Sequence, residues 1–288
     1  MPLLQDISYA PSAPTRPAQT FIRTVENATG RRKLLLQARD QMATANAAQD
    51  FWRNMMTAYG LELDVTQGTL DYIPAQGPLV VVANHPFGIL DGLVMGYLLD
   101  GLRRDFRIMA HSAFQAAPEV ACHILPIDFA GTRAAEKANL ETRANAIAYL
   151  RAGGAIGIFP GGTVSTAQRP FQRPTDPQWR LFSARMIQRS GATVVPIWFD
   201  GANSRLFQFA SHFNYTLRMA LLIREFKARV NRPVRLAIGR PIGHDALARF
   251  AGQPKEMMDF LRAATYGMAD TPLDPMQLGY EFEEAYRH

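Results

Sequence analysis

Val80-Val81-Val82-Ala83-Asn84-His85-Pro86-Phe87-Gly88-Ile89-Leu90-Asp91-Gly92 changes character twice along its length. It opens on three consecutive valines, the composition of a strand buried on both faces. Asn84, Pro86 and Gly88 then supply turn residues. Beyond them an apolar stretch predicts a helix over Leu90 to Leu102. A strand feeding a helix through a short turn is the start of a βα unit. In open α/β sheets the ends of such strands are where ligands bind.

Outward from this unit the pattern repeats. Strands are predicted at Leu79 to Val82, Phe106 to Ala110, Ile124 to Ile127, Ala155 to Phe159, Val194 to Phe199 and Val234 to Ile238. Helices are predicted at Leu90 to Leu102, Arg133 to Arg151, Pro177 to Ser190 and Thr216 to Val230. Strands alternating with helices of crossover length predict an α/β domain with a mostly parallel central sheet flanked by helices. Upstream, Leu35, Ala38, Met42, Ala45, Trp52, Met55 and Tyr59 recur mostly in steps of three and four, predicting one long or two consecutive N-terminal amphipathic helices. Core packing and membrane contact are both open to them. Residues 1–30 are rich in Pro, Ala, Ser and Thr and read as an extended N-terminal arm. Residues 31–270 form the domain, and residues 271–288 read as a C-terminal tail that braces the fold or meets a partner and ends in an aromatic, helix-like segment.

Composition narrows the classes. With 31 basic against 25 acidic residues the net charge is +6 and the pI about 9.7, which favours anionic partners: lipid headgroups, an acidic carrier protein or nucleic acid. Arg31, Arg32 and Lys33 form one cluster, but no nucleic-acid-reading motif accompanies them, so no nucleic-acid partner is expected. Cys122 is the only cysteine, which excludes an intrachain disulfide and a cysteine-based zinc site and fits a reducing compartment. The first residues lack the basic start and apolar run of a signal peptide, so export is not expected. Gly88 to Leu99, the longest apolar candidate, is interrupted by Asp91 and falls short of the roughly 18 to 20 residues of a membrane span. Membrane contact is therefore expected to be peripheral.

The chemistry centres on His85, at a strand end, and Asp91, near the start of the next helix. A carboxylate bound to one ring nitrogen fixes the tautomer and leaves the other free to take a proton. A second cluster, Phe159-Pro160-Gly161-Gly162-Thr163-Val164-Ser165, ends a strand on two glycines and two hydroxyl residues, a turn suited to a phosphate or an oxyanion and equally to ordinary helix capping. Ser165 lacks the nucleophile-elbow pattern of a serine hydrolase. His111 and His123 have no carboxylate at metal-ligand spacing, so no metal is expected.

These blocks resemble the lysophospholipid acyltransferase family, in particular its hemolysin-like bacterial branch. Asn84-His85 followed by Asp91 is similar to the family's first motif, lengthened by one residue over Pro86 to Leu90. His123 to Asp128 with Gly131-Thr132-Arg133 resembles the second, where family members place a basic substrate-binding residue. Phe159 to Ser165 resembles the Phe-Pro-Glu-Gly-Thr block, with Gly161 standing where most members carry glutamate. Val195-Pro196-Ile197, continuing to Phe207, resembles the fourth. The resemblance implies a glycerolipid acyltransferase-like fold, His85 and Asp91 as the catalytic pair, and substrate contacts at Asn84, Phe87, Gly88, Arg133, Phe159, Pro160, Gly161, Gly162, Thr163 and Ser165. It implies transfer of a fatty acyl group from an acyl thioester, on acyl carrier protein or coenzyme A, to the hydroxyl of a membrane lyso-lipid, with no bound cofactor. The missing glutamate favours a lyso-aminolipid acceptor of the ornithine-lipid type over lysophosphatidate. Location on the inner membrane surface, in the cytoplasm, is expected. The rival readings are a lysophosphatidate acyltransferase and a non-catalytic lipid-binding protein of the same fold.

Overall fold

The computed structural model describes residues 8–13, 15–43, 50–116, 118–128 and 132–282. The N-terminal part holds α1 (Arg16–Thr29), α2 (Arg31–Met42), α3 (Phe51–Ala58) and the strand β1 (Glu62–Gln67). Then follow β2 (Leu79–Ala83), α4 (Ile89–Leu102), β3 (Phe106–His111), α5 (Pro118–Ala121), β4 (Ile124–Ile127), α6 (Arg133–Arg151) and β5 (Ala155–Ile158). The remainder comprises α7 (Leu181–Ser190), β6 (Thr193–Phe199), α8 (Arg205–Phe213), α9 (Tyr215–Arg229), β7 (Pro233–Ile238), α10 (His244–Ala248) and α11 (Pro254–Tyr266).

The strands form one sheet in the order β1-β7-β6-β2-β5-β3-β4. Neighbours are parallel except β6 and β7, so the sheet is mostly parallel as expected. Strand β2 lies between β5 and β6, and every one of its residues is buried. Its alternation feeds two cores. Leu79, Val81 and Ala83 pack under α2, α3, α4 and α9. Val80 and Val82 face α6, α7 and α11. Helices thus cover both faces, and the turns after β2 and β5 leave from the same end of adjacent parallel strands.

The expectations differ from the structure in identifiable places. Arg16–Thr29 is helical, not extended: Thr15 accepts from Ala18 N–H as N-cap and Pro17 sits in the first turn, where its missing N–H costs nothing. α1 buries Ile22 and Glu26 against the body of the protein, so it belongs with the domain. The amphipathic region is two helices, α2 and α3; Ala45 lies outside the described residues. α7 starts at Leu181, since Arg180 N–H is held by Pro160 O. Arg31 is buried and bonded to Asn27, leaving Arg32 and Lys33 at the surface. In the tail, residues 271–282 brace the fold without forming a helix, and 283–288 lie outside the described residues. Among the described residues no helix is long and apolar enough to cross a membrane.

Candidate active site

His85 stands in the turn between β2 and α4, and Asp91 in the first turn of that helix. Gly88 is the N-cap with φ +90, a conformation that disfavours any other residue and lets the chain fold back so that a helical carboxylate meets a loop histidine. Asp91 Oδ2 accepts from the N–H groups of Phe87 (2.8 Å) and Gly88 (3.0 Å) and lies 2.9 Å from His85 Nδ1. The carboxylate is fully buried, while 18% of the imidazole side chain is exposed, so the ring is the accessible member of the pair. Burial raises the Asp91 pKa, and the contacts with His85, Phe87 and Gly88 oppose that rise. Phe159, just past β5, stacks on the imidazole with ring centroids 4.2 Å apart.

The main chain of His85 is held on both sides. Its N–H donates to Asp176 Oδ1 at 3.1 Å, and its carbonyl accepts from Ser165 N–H at 2.8 Å. Asp176 is fully buried; it also accepts from Ser165 Oγ (2.5 Å) and Trp179 Nε1 (2.9 Å). A Cβ added at Gly161 would lie 3.0 Å from Asp176 Cβ. The place beside Gly161 is therefore filled: a carboxylate from the loop before α7 occupies the region where a longer side chain at 161 would start. Sequence reasoning missed Asp176, although it is the only acidic residue between Glu141 and Asp200.

Several residues expected to touch substrate are engaged elsewhere. Asn84 Nδ2 donates to Phe199 O (2.9 Å) and its Oδ1 accepts from Phe199 N–H (2.7 Å), so its amide ties the histidine turn to β6 and is not presented to substrate. The Phe87 ring is buried beneath the Arg229 guanidinium. Pro160 is buried, and its carbonyl accepts from Arg180 N–H. Ser165 is buried and turned to Asp176. Gly162 N–H closes its turn on Phe159 O, whereas the N–H groups of Gly161 and Thr163 make no hydrogen bond among the described residues. Arg133 is exposed at the start of α6, where Thr132 caps; among the described residues no bond or ring contact joins it to His85 or the glycine turn, and Gly131 lies outside them.

Behind this turn lies a cation that the sequence did not single out. Arg218 is buried and donates to Thr163 Oγ1, Val164 O, Thr166 Oγ1 and Ser211 Oγ. Among the described residues none of its hydrogen-bond partners is a carboxylate, and burial pulls its pKa down to about 10. It stays charged at neutral pH and sets a fixed positive charge behind Thr163. Its one sequence signal is a lone charge among Leu217, Met219, Ala220, Leu221 and Leu222. No group of three or more His, Cys, Asp or Glu among the described residues is placed to hold a metal ion.

A partly exposed imidazole aligned by a buried carboxylate beside a glycine turn with unbonded N–H groups suits general-base chemistry at a carbonyl. Residues 64–200, which contain all of these except Arg218, match the family described as Acyltransferase. Residues 64–200 are an acyltransferase domain, and the protein is an acyltransferase. Two relatives are each named lyso-glycine lipid O-acyltransferase. The protein from Phocaeicola vulgatus is 22% identical over 204 residues, covering 68% of this chain and 70% of the relative. That from Bacteroides thetaiotaomicron is 25% identical over 191 residues, covering 63% and 67%. Among solved structures, the 1-acyl-sn-glycerophosphate (LPA) acyltransferase PlsC from Thermotoga maritima is 16% identical with a TM-score of 0.46, over 86% of this chain and 93% of that one. In this acyltransferase the first motif block falls on the turn after β2, the second on β4 and the start of α6, the third on the turn after β5, and the fourth on β6, continuing past the matched segment into α8.

Proposed function

We propose that this acyltransferase moves a fatty acyl group from an acyl thioester to the hydroxyl of a lyso-lipid, the favoured acceptor being a lyso-aminolipid. The observation that carries the reading is His85 Nδ1 set 2.9 Å from a buried carboxylate, with the histidine side chain itself partly exposed. In the reaction His85 takes the hydroxyl proton on its other nitrogen as the oxygen attacks the thioester carbonyl. Asp91 steadies the imidazolium that forms. The C–S bond breaks, and the imidazolium returns its proton to the departing thiolate. The Gly161 and Thr163 N–H groups are the donors suited to the oxyanion.

The aminolipid acceptor is supported by the names of the two relatives, since Asp176 fills the place beside Gly161 and the missing glutamate alone does not favour it. Of amino-acid head groups, glycine is the one the relatives name, and the ornithine type remains within the proposal. An acyl carrier protein is the favoured donor, since acidic carriers complement a chain of net charge +6, with acyl-coenzyme A the alternative. The enzyme would work peripherally on the inner membrane surface, in the cytoplasm. Its test offers purified protein lysophosphatidate and a lyso-aminolipid side by side, with acyl carrier protein or coenzyme A as donor. Transfer to the aminolipid that disappears in folded His85→Ala, by about 10² to 10⁴ in rate, is expected. Transfer to lysophosphatidate alone would overturn the acceptor; undiminished transfer by His85→Ala would overturn the mechanism.

A further inference from the structure

We propose that the outer face of α8 is the surface by which the protein docks on an anionic lipid bilayer. Leu206, Phe209 and Phe213 follow one another at helical spacing and are 50%, 52% and 74% exposed, unlike the Phe207, Ala210 and Ser211 stripe buried behind them. The Phe209 and Phe213 rings pack against each other 4.8 Å apart, so the exposed stripe is one continuous apolar ridge. Tyr215 (α9) and Phe21 (α1) extend it; Phe21 and Asn214, the C-cap of α8, line the same shallow hollow. Phe171 is 89% exposed and sits four residues beyond Ala167, whose N–H is held by Gln208 of α8, within about 14 Å by chain reach.

Charge commits the ridge to an anionic surface. Between Gly201 and Glu225 the chain carries the exposed Arg205, whereas Arg218 is buried behind Thr163 and Arg224 pairs with Glu225. The loop from Ala167 to Thr175 adds the exposed Arg169 and Arg173, and α1 adds the exposed Arg16, with no acidic residue nearer in sequence than Asp176 and Glu26. Aromatic and leucine side chains flanked by arginines suit the headgroup region of a bilayer. By contrast, Leu36 on α2 is a single exposed apolar residue among charged neighbours. The inner face of α8 also reaches the site: Gln208 holds Ala167 N–H and Ser165 O, and Ser165 N–H holds His85 O. A bilayer seated on α8 would therefore lie one helix away from the turn that carries His85.

This docking surface deepens the lyso-lipid reading and rests on it for its purpose, but its test needs no turnover. The full chain, the double variant Phe209→Ser/Phe213→Ser, and Leu36→Ser are sedimented with phosphatidylglycerol vesicles and with phosphatidylcholine vesicles at low salt. The expected result is binding of the wild type to the anionic vesicles, lowered at least tenfold in the double variant and unchanged in Leu36→Ser. The double variant should still acylate a lyso-lipid dispersed in detergent at the wild-type rate. Equal vesicle binding by the double variant, or a wild-type dimer that the double variant converts to monomer without loss of vesicle binding, would overturn the proposal. Loss of vesicle binding with no acyl transfer by either protein in detergent would uphold the docking surface and count against the functional reading instead.

Discussion

Asp91 starts a helix and orients the His85 ring with the same carboxylate. Burial raises its pKa. A carboxyl group whose folded pKa exceeds its unfolded value contributes stability below the unfolded pKa and loses it as pH rises through the folded one. Burying the ionised form of Asp91 therefore works against the fold. Asn can still accept from Phe87 and Gly88 N–H but carries no charge to bury. Asp91→Asn is expected to match or exceed the wild type in Tm at pH 7 while turnover falls by about 10² to 10⁴. Thermal unfolding and acyl transfer on one preparation check this; a lower Tm with activity retained contradicts it. Gly161 gives a second test at this scale. Restoring glutamate there drives a Cβ to 3.0 Å from Asp176 Cβ. Gly161→Glu should lose about 1 to 3 kcal/mol in urea unfolding, as overpacked sites do, and gain no activity on lysophosphatidate.

At the scale of elements, legibility followed burial and locality. β2 and β5 are buried on both faces, β4 is a half-buried edge strand, and the apolar runs of all three mark them within a residue of their observed ends. β1, Glu-Leu-Asp-Val-Thr-Gln, is an edge strand with only Leu63 and Val65 half-buried, so its alternation is too weak to stand out. α1 was hidden by Pro17 and its Ala and Thr content, and α8 by its position at the end of a motif block. In the site, His85, Asp91 and Phe159 were readable because one turn or one strand end carries each. Asp176 and Arg218 were not, since they arrive from a loop and a helix distant in sequence and no periodicity marks such a meeting. Asp176 supports its element pair by holding His85 N–H, Ser165 Oγ and Trp179 Nε1 together. Asp176→Ala strands those buried donors and should cost about 3 kcal/mol or more. If its role is to position His85, Asp176→Asn should recover part of kcat with KM little changed. Full activity in Asp176→Ala would remove it from the site's support.

Across the whole molecule, segments near both ends of the chain close over the turns that carry the chemistry. Ser8 Oγ and Tyr9 N–H donate to the buried Glu26, and the Tyr9 hydroxyl lies 3.6 Å from where a Cβ on Gly88 would sit. At the other end Gly279 N–H donates to Asp176 O, Tyr280 N–H to Thr166 O, and Arg180 pairs with Glu281. Arg262, on α11, links these parts by donating to the carbonyls of Asp176, Pro177, Pro275 and Gln277. Its guanidinium is buried and its partners belong to two segments far apart in sequence, so removing the tail leaves a buried cation short of acceptors. A chain ending at Asp270 should then melt several degrees below the full chain and lose most turnover, although every residue of the family match remains. Arg262→Ala, which keeps the tail but cuts its anchor, should fall the same way and expose the 271–282 segment to protease before the body of the protein. Comparing Tm, acyl transfer and the first proteolytic cleavage in the three proteins tests the chain of support from tail to Asp176 to His85. A truncated protein with full Tm and full activity would show that the tail lies on the domain without holding its site.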